Sequence, residues 1–195
     1  MKQLTLLESE REKSIVRAAD GTREPLSVWT VGHSTRSSEE FVALLTAHRI
    51  EALIDVRRYP TSRRYPWFGR ETLSEQLSQA GILYLWLPQL GGRRQSSLSS
   101  KNTALKNRSL RGYADHMETE EFRADIERVI AFAQSFRTAL MCAEAVWWRC
   151  HRSLIADYLF ARGIMVIHIL DRKTSAEHTL TPAAKIIGGR LSYEP

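Results

Sequence analysis

The sequence predicts an α/β protein: a single three-layer domain with a mostly parallel five-stranded sheet flanked by helices. Three observations carry this prediction. Short apolar runs alternate with longer segments of helical periodicity. The runs EALIDVR and TALMCAE are nearly unbroken, which suits strands buried on both faces. The chain has 195 residues, 43% hydrophobic and 26% charged, enough for one compact core.

Residues 1–26 read as a charged N-terminal arm, with a short helix from Glu8 to Arg17 before Asp20-Gly21 and Pro25 break the chain. Residues 27–172 form the α/β domain, and residues 173–195 a tail, packed on the domain or mobile. In SVWTVGHS, Val28 to Val31 are strand formers and Gly32 ends them. Ser37 or Ser38 caps the next helix, Glu39 and Glu40 sit in its first turn, and Phe41, Leu44, Leu45 and His48 form its stripe. EALIDVR is the second strand; Pro60, Pro66 and Gly69 keep residues 57–69 irregular. Glu71 to Gln79 is helical and stops at Gly81. ILYLWL is the third strand, and a long polar connection runs from Pro88 to about Arg108. Helices over Arg111–Met117 and Glu120–Phe136 precede the fourth strand, TALMCAE. Cys150 to Arg162 is a helix closed by Gly163, and IMVIHIL is the fifth strand.

Open parallel sheets bind ligands beyond the carboxyl ends of their strands. Four strands end in polar chemistry: Gly32-His33-Ser34, Asp55-Val56-Arg57-Arg58, Cys142-Ala143-Glu144 and Asp171-Arg172. The net charge of +6 and a pI near 9.6 favour an anionic partner, of which nucleic acid is the commonest large one. No apolar run is long enough to cross a membrane, the first residues lack the apolar stretch of a signal peptide, and there are two cysteines. A cytoplasmic protein with no membrane partner is expected.

The stretch RRYPTSRRYPWFGR, residues 57–70, alternates arginines with aromatics. Arg57, Arg58, Arg63 and Arg64 can grip phosphates, and Tyr59, Tyr65, Trp67 and Phe68 can stack on bases. Arg93 and Arg94 extend the basic set into the long connection, with Lys101, Lys106 and Arg108 beyond them. The alternative is an ordinary loop with packed rings and solvated arginines. Asp55 and Glu144 end strands and are the candidate acid–base groups, with structural ion pairs as the alternative.

The stretch MCAEAVWWRCHRS, residues 141–153, gathers the rest. Cys150 at a helix start beside Arg149, His151 and Arg152 has the surroundings of a nucleophilic thiolate. Cys142 reads rather as a strand-end core residue, and the alternative for Cys150 is a small buried residue at a helix start. A cysteine-phosphatase loop is excluded, because Trp148 stands where its arginine must be. A zinc site is disfavoured by the wide separation of the cysteines, so neither metal nor cofactor is expected. His33 follows a strand in a turn and can bind phosphate or move a proton, with a structural hydrogen bonder as the alternative, while His168 reads as core.

TVGHS, DVRRYPTSR, YLWLPQLGG and MCAE followed by CHRSLIADYL, in this order from about Val28 to Leu170, resemble the family called domain of unknown function 488. The resemblance implies a single α/β domain. It maps the family's motif positions onto Gly32, His33, Ser34, Asp55, Arg57, Pro60, Ser62, Gly91, Gly92, Cys142, Glu144, Cys150, His151 and Arg152. Members are loosely associated with DNA repair. Many relatives have an acidic or proline-containing stretch where this chain has Ala145-Val146-Trp147-Trp148, so the tryptophans are expected to form an aromatic wall.

The expectation for function is a nucleic-acid base-processing enzyme, a DNA glycosylase that excises a modified or damaged base. Trp147, Trp148 or Tyr65 would stack on the base, and Glu144 or Asp55 would stabilise the cationic sugar or orient water. Arg57, Arg58 and Arg152 would contact phosphate, and His151 or His33 would polarise the leaving base. Two alternatives stay open: a non-catalytic nucleic-acid-binding module, and a thiol-dependent enzyme or small-molecule hydrolase at the same rim.

Overall fold

A computed structural model describes residues 26–195. The expected helix from Glu8 to Arg17 lies outside the described residues. From β1 (Ser27–Gly32) the chain passes through α1 (Ser38–Ala47), β2 (Ala52–Asp55), α2 (Arg70–Gln79) and β3 (Leu83–Trp86). It continues through α3 (Arg108–Met117), α4 (Glu120–Ser135), β4 (Thr138–Cys142), α5 (Arg152–Ala161) and β5 (Met165–Ile169). Three short strands follow: β6 (Ser175–Glu177), β7 (Lys185–Ile187) and β8 (Arg190–Ser192).

The main sheet has the order β3-β2-β4-β1-β5-β6. Strands β1 to β5 are mutually parallel, and β6 is added antiparallel to β5. The sheet therefore has six strands where the sequence predicts five. The extra strand is a three-residue edge with little apolar content, too short to leave a periodic signal. Strands β7 and β8 form a separate hairpin.

Alternation along the strands sorts the core into two layers. Trp29, Val31, Leu53 and Met141 face α1 and α2, packing on Phe41, Leu44, Leu45, Leu73 and Leu77. Val28, Ile54, Leu140 and Cys142 face α3 to α5, packing with Tyr113, Phe122, Ile126, Leu154 and Leu159. Ser37 rather than Ser38 caps α1: its hydroxyl accepts from Glu40 N while the Glu40 carboxylate accepts from Ser37 N.

Helix α5 begins at Arg152, two residues later than the sequence predicts. Cys150 is extended, and Trp147–Arg149 form a 3₁₀ turn before it. The tail packs on the domain. Asp157 on α5 accepts from Thr181 N at 2.8 Å and from Tyr193 Oη at 2.8 Å, and Tyr193 is buried. The long connection after Leu90 is held by Asp115 on α3, which accepts from Ser97 N and Asn102 Nδ2, both at 2.9 Å.

Candidate active site at the strand ends

Strand β4 lies between β2 and β1, so the ends of these three strands converge. Their extensions are laced together: His33 N donates to Cys142 O at 2.9 Å, Ser34 N to Ala143 O at 3.0 Å, and Val56 N to Met141 O at 3.0 Å. Gly32 is required here, because a Cβ on it would stand 1.9 Å from the carbonyl oxygen of Glu144. Beyond these ends opens a cavity of about 850 Å³.

The cavity wall combines guanidinium, phenol, carboxylate, thiol, imidazole and hydroxyl groups. Arg57, Arg58, Arg93 and Arg149 supply positive charge; Tyr59, Tyr65 and Tyr113 supply rings. Glu144 is the one carboxylate among the lining residues, and it is exposed to the cavity. Cys142, Cys150, His33 and His151 line it too, with Ser34 and Ser62 adding hydroxyls. Among the described residues three non-glycine positions have positive φ, Ser34, Arg49 and Arg93, and two of these three line the cavity. Such backbone is held only where the surroundings over-determine it.

The two candidate carboxylates differ sharply. Asp55 is fully buried and absent from the lining. Its oxygens accept from Arg57 N and Nε at 2.9 Å, from Arg57 Nη2 at 2.6 Å and from Tyr84 Oη at 2.8 Å. Four donors occupy it, so it holds Arg57 in place. It is not an available base.

His33 stacks on Phe68 with ring centroids 4.0 Å apart. Its Nδ1 lies 2.9 Å from the Ser34 carbonyl, to which only an N–H can bond, so Nε2 carries the lone pair. Nε2 faces Arg57 Nη1 at 3.4 Å. Burial, and then the Arg57 charge, lowers the His33 pKa to about 4, so the ring is neutral near neutrality.

The aromatic wall is not where the sequence predicts it. Trp147 stacks flat on His168, with centroids 3.8 Å apart, and Trp148 is exposed; neither lines the cavity. The apolar contact with a buried imidazole outweighs exposure to the cavity for Trp147. Arg63, Arg64, Trp67 and Arg94 also lie outside the lining. Trp67 donates its Nε1 to Arg36 O at 3.0 Å, and Arg94 bonds to the carbonyls of Gly91 and Gln89. Arg152 is buried behind the wall and does not reach a phosphate at the mouth.

Gly92 packs against His151, since a Cβ there would lie 2.8 Å from Nδ1. Among the described residues, His151 Nε2 is buried without a hydrogen-bond partner. Ser109, Leu110 and Tyr113 of α3, with Asn107 before it, complete the lining on that side. Sequence reasoning missed them: Asn107 reads as a helix cap, which it also is, and a tyrosine within a helix gives no sign of which wall it joins. Asp171, at the end of β5, accepts from Thr174 and lies outside the lining.

Among the described residues no three His, Cys, Asp or Glu side chains come together as a metal-holding group, and no helix is long and apolar enough to cross a membrane. The family model described as domain of unknown function DUF488 matches residues 37–159. No curated protein and no solved structure matches the chain.

Proposed function

The chain belongs to the DUF488 family, and on that premise we propose that it is a nucleic-acid base-processing enzyme that hydrolyses an N-glycosidic bond in the strand-end cavity. The observation that carries the reading is Glu144, the one carboxylate among the described lining residues, in a cavity whose wall also holds four arginines and three tyrosines. A nucleotide unit offers matching chemistry: phosphates for Arg58, Arg93 and Arg149, and a base for the faces of Tyr59 and Tyr65. The cavity volume of about 850 Å³ accommodates one extruded nucleotide.

In this reading Glu144 stabilises the cationic sugar as the bond to the base breaks, and takes a proton from the water that adds to the sugar carbon. The bonding pair leaves with the base. The departing base takes its proton from cavity water; His151 lines the cavity, but its Nε2 is buried, so it shapes the wall and does not meet the base. His33 is neutral and already bonded at both nitrogens, so it holds the wall together. Asp55 acts through Arg57.

The test is base release from oligonucleotides carrying damaged and modified bases, read as alkali-sensitive abasic sites. Release by the wild type and its loss in Glu144→Gln by at least about 100-fold, with binding retained, is the expected result. Salt-sensitive binding with no release from any base would replace the enzyme with a binding module.

A further inference from the structure

We infer that Cys150 and Cys142 form a thiol–disulfide exchange site at the cavity floor, acting on a low-molecular-weight anionic disulfide. The two sulfurs are 3.4 Å apart, both thiols are free, and both residues line the cavity. A bond between them requires an approach to about 2.05 Å.

Arg152 is the independent observation. It is 1% exposed, and among the described residues it forms no ion pair with a carboxylate. Its guanidinium bonds to Glu144 O, to Ala145 O at 3.3 Å and to Thr30 Oγ1 at 3.5 Å, all neutral oxygens, and its Nε has no partner. A buried cation needs an anion close by. The acidic groups beside it are the thiols, and its backbone N–H points at Cys150 Sγ from 3.4 Å.

The pair is polarised. The hydrogen bond from the Cys142 thiol, helped by His151 and Arg152, lowers the Cys150 pKa against the opposing effect of burial. Burial and the same hydrogen bond raise that of Cys142. With the Arg152 N–H at the helix start aimed at its Sγ, Cys150 is assigned as the attacking thiolate and Cys142 as the thiol that follows. Arg58, Arg93 and Arg149 on the wall above favour an anionic co-reactant.

The steps balance. The Cys150 thiolate attacks one sulfur of the disulfide, whose S–S bond breaks and releases one thiolate. Cys142 then gives up its proton and attacks Cys150 Sγ, releasing the second thiolate and closing the Cys142–Cys150 bond. The protein loses two electrons and the Cys142 proton; that proton neutralises one released thiolate and water supplies the proton for the other, so the small disulfide becomes two thiols.

The experiment exposes the full, reduced chain to glutathione disulfide, quenches with acid and maps the product by mass spectrometry. The expected product has lost two hydrogens, with Cys142 linked to Cys150, and Cys142→Ser accumulates one glutathione on Cys150. Persistence of both thiols, or glutathione on Cys142 alone, would overturn the inference. A second readout needs no variant: alkylation of Cys150 by iodoacetamide is expected to titrate below about pH 7, whereas a midpoint near the ordinary thiol value of about 8.5 would also overturn it. Neither readout involves base release, so this site and the proposed glycosylase stand or fall separately.

Discussion

Asp55 and Glu144 extend from neighbouring strands, yet one is a structural anion and the other an accessible one. The difference is measurable. Asp55→Asn removes the charge that compensates Arg57 and should destabilise the fold by about 3–5 kcal/mol, because a buried cation is left unpaired. Glu144→Gln should change stability by less than about 0.5 kcal/mol, since its side chain is exposed. Urea denaturation of both variants checks the pair; equal losses would contradict the assignment. His33 adds a pH dependence. Its folded pKa of about 4 lies below the ordinary 6.5, so between these values the unfolded chain binds a proton that the folded chain does not. Stability is therefore full above pH 6.5 and falls as pH drops towards 4, by roughly 3 kcal/mol for this group. Urea midpoints across that range should decline; a flat profile would show that the imidazole is not held neutral.

At the scale of elements, the loops after β1 and β4 depend on each other. Gly32→Ala would place a methyl group against the Glu144 carbonyl and force the two strand ends apart. The expected outcome is loss of ligand binding together with a lowered melting temperature, read by calorimetry. The cap of α1 is simpler: Ser37→Ala should cost about 1 kcal/mol and leave the cavity unchanged, because the capping box bonds only to its own helix. The delayed start of α5 matters more for chemistry. Cys150 is left in extended backbone beside the cavity, and Arg152 turns inward as the first helical residue.

At the scale of the whole molecule, the tail and the site are joined through the core. Arg152 donates to Thr30 Oγ1, Thr30 lies 2.7 Å from His168 Nδ1, and His168 Nε2 lies 3.0 Å from His178 Nδ1. His178 Nε2 then meets Asp157 at 3.0 Å. An arginine can only donate and a carboxylate only accept, so Arg152 donates to Thr30 at one end of the chain and His178 donates to Asp157 at the other. Burial, then His178 and Arg152, lowers the His168 pKa to about 3, in keeping with a neutral link. A chain ending at residue 172 would lose His178, Thr181 and Tyr193 from around Asp157. It should unfold at a clearly lower temperature and lose order around Arg152, seen as a shift in the alkylation profile of Cys150. The proposed nucleic-acid function carries a salt-dependence prediction as well: if Arg58, Arg93 and Arg149 each meet one phosphate, log affinity against log salt should fall with a slope near −2 on single strands.

Much of this protein was determined by local sequence. The strand and helix order follows from periodicity and from breakers such as Gly32, Gly81 and Gly163, which act within a few residues of themselves. The meeting of GHS, DVRR and CAE at one rim follows from parallel strands, because parallel pairing brings equivalent ends together. Tertiary structure alone decided which side chains share the cavity. It paired Asp55 with Tyr84 across β2 and β3, drew Trp147 onto His168, and added Tyr113 from a distant helix. It also set Cys142 3.4 Å from Cys150 and left Arg152 buried between the thiols and the tail. These contacts depend on strand order and on competition for buried partners, and neither is encoded in the spacing of residues along the chain.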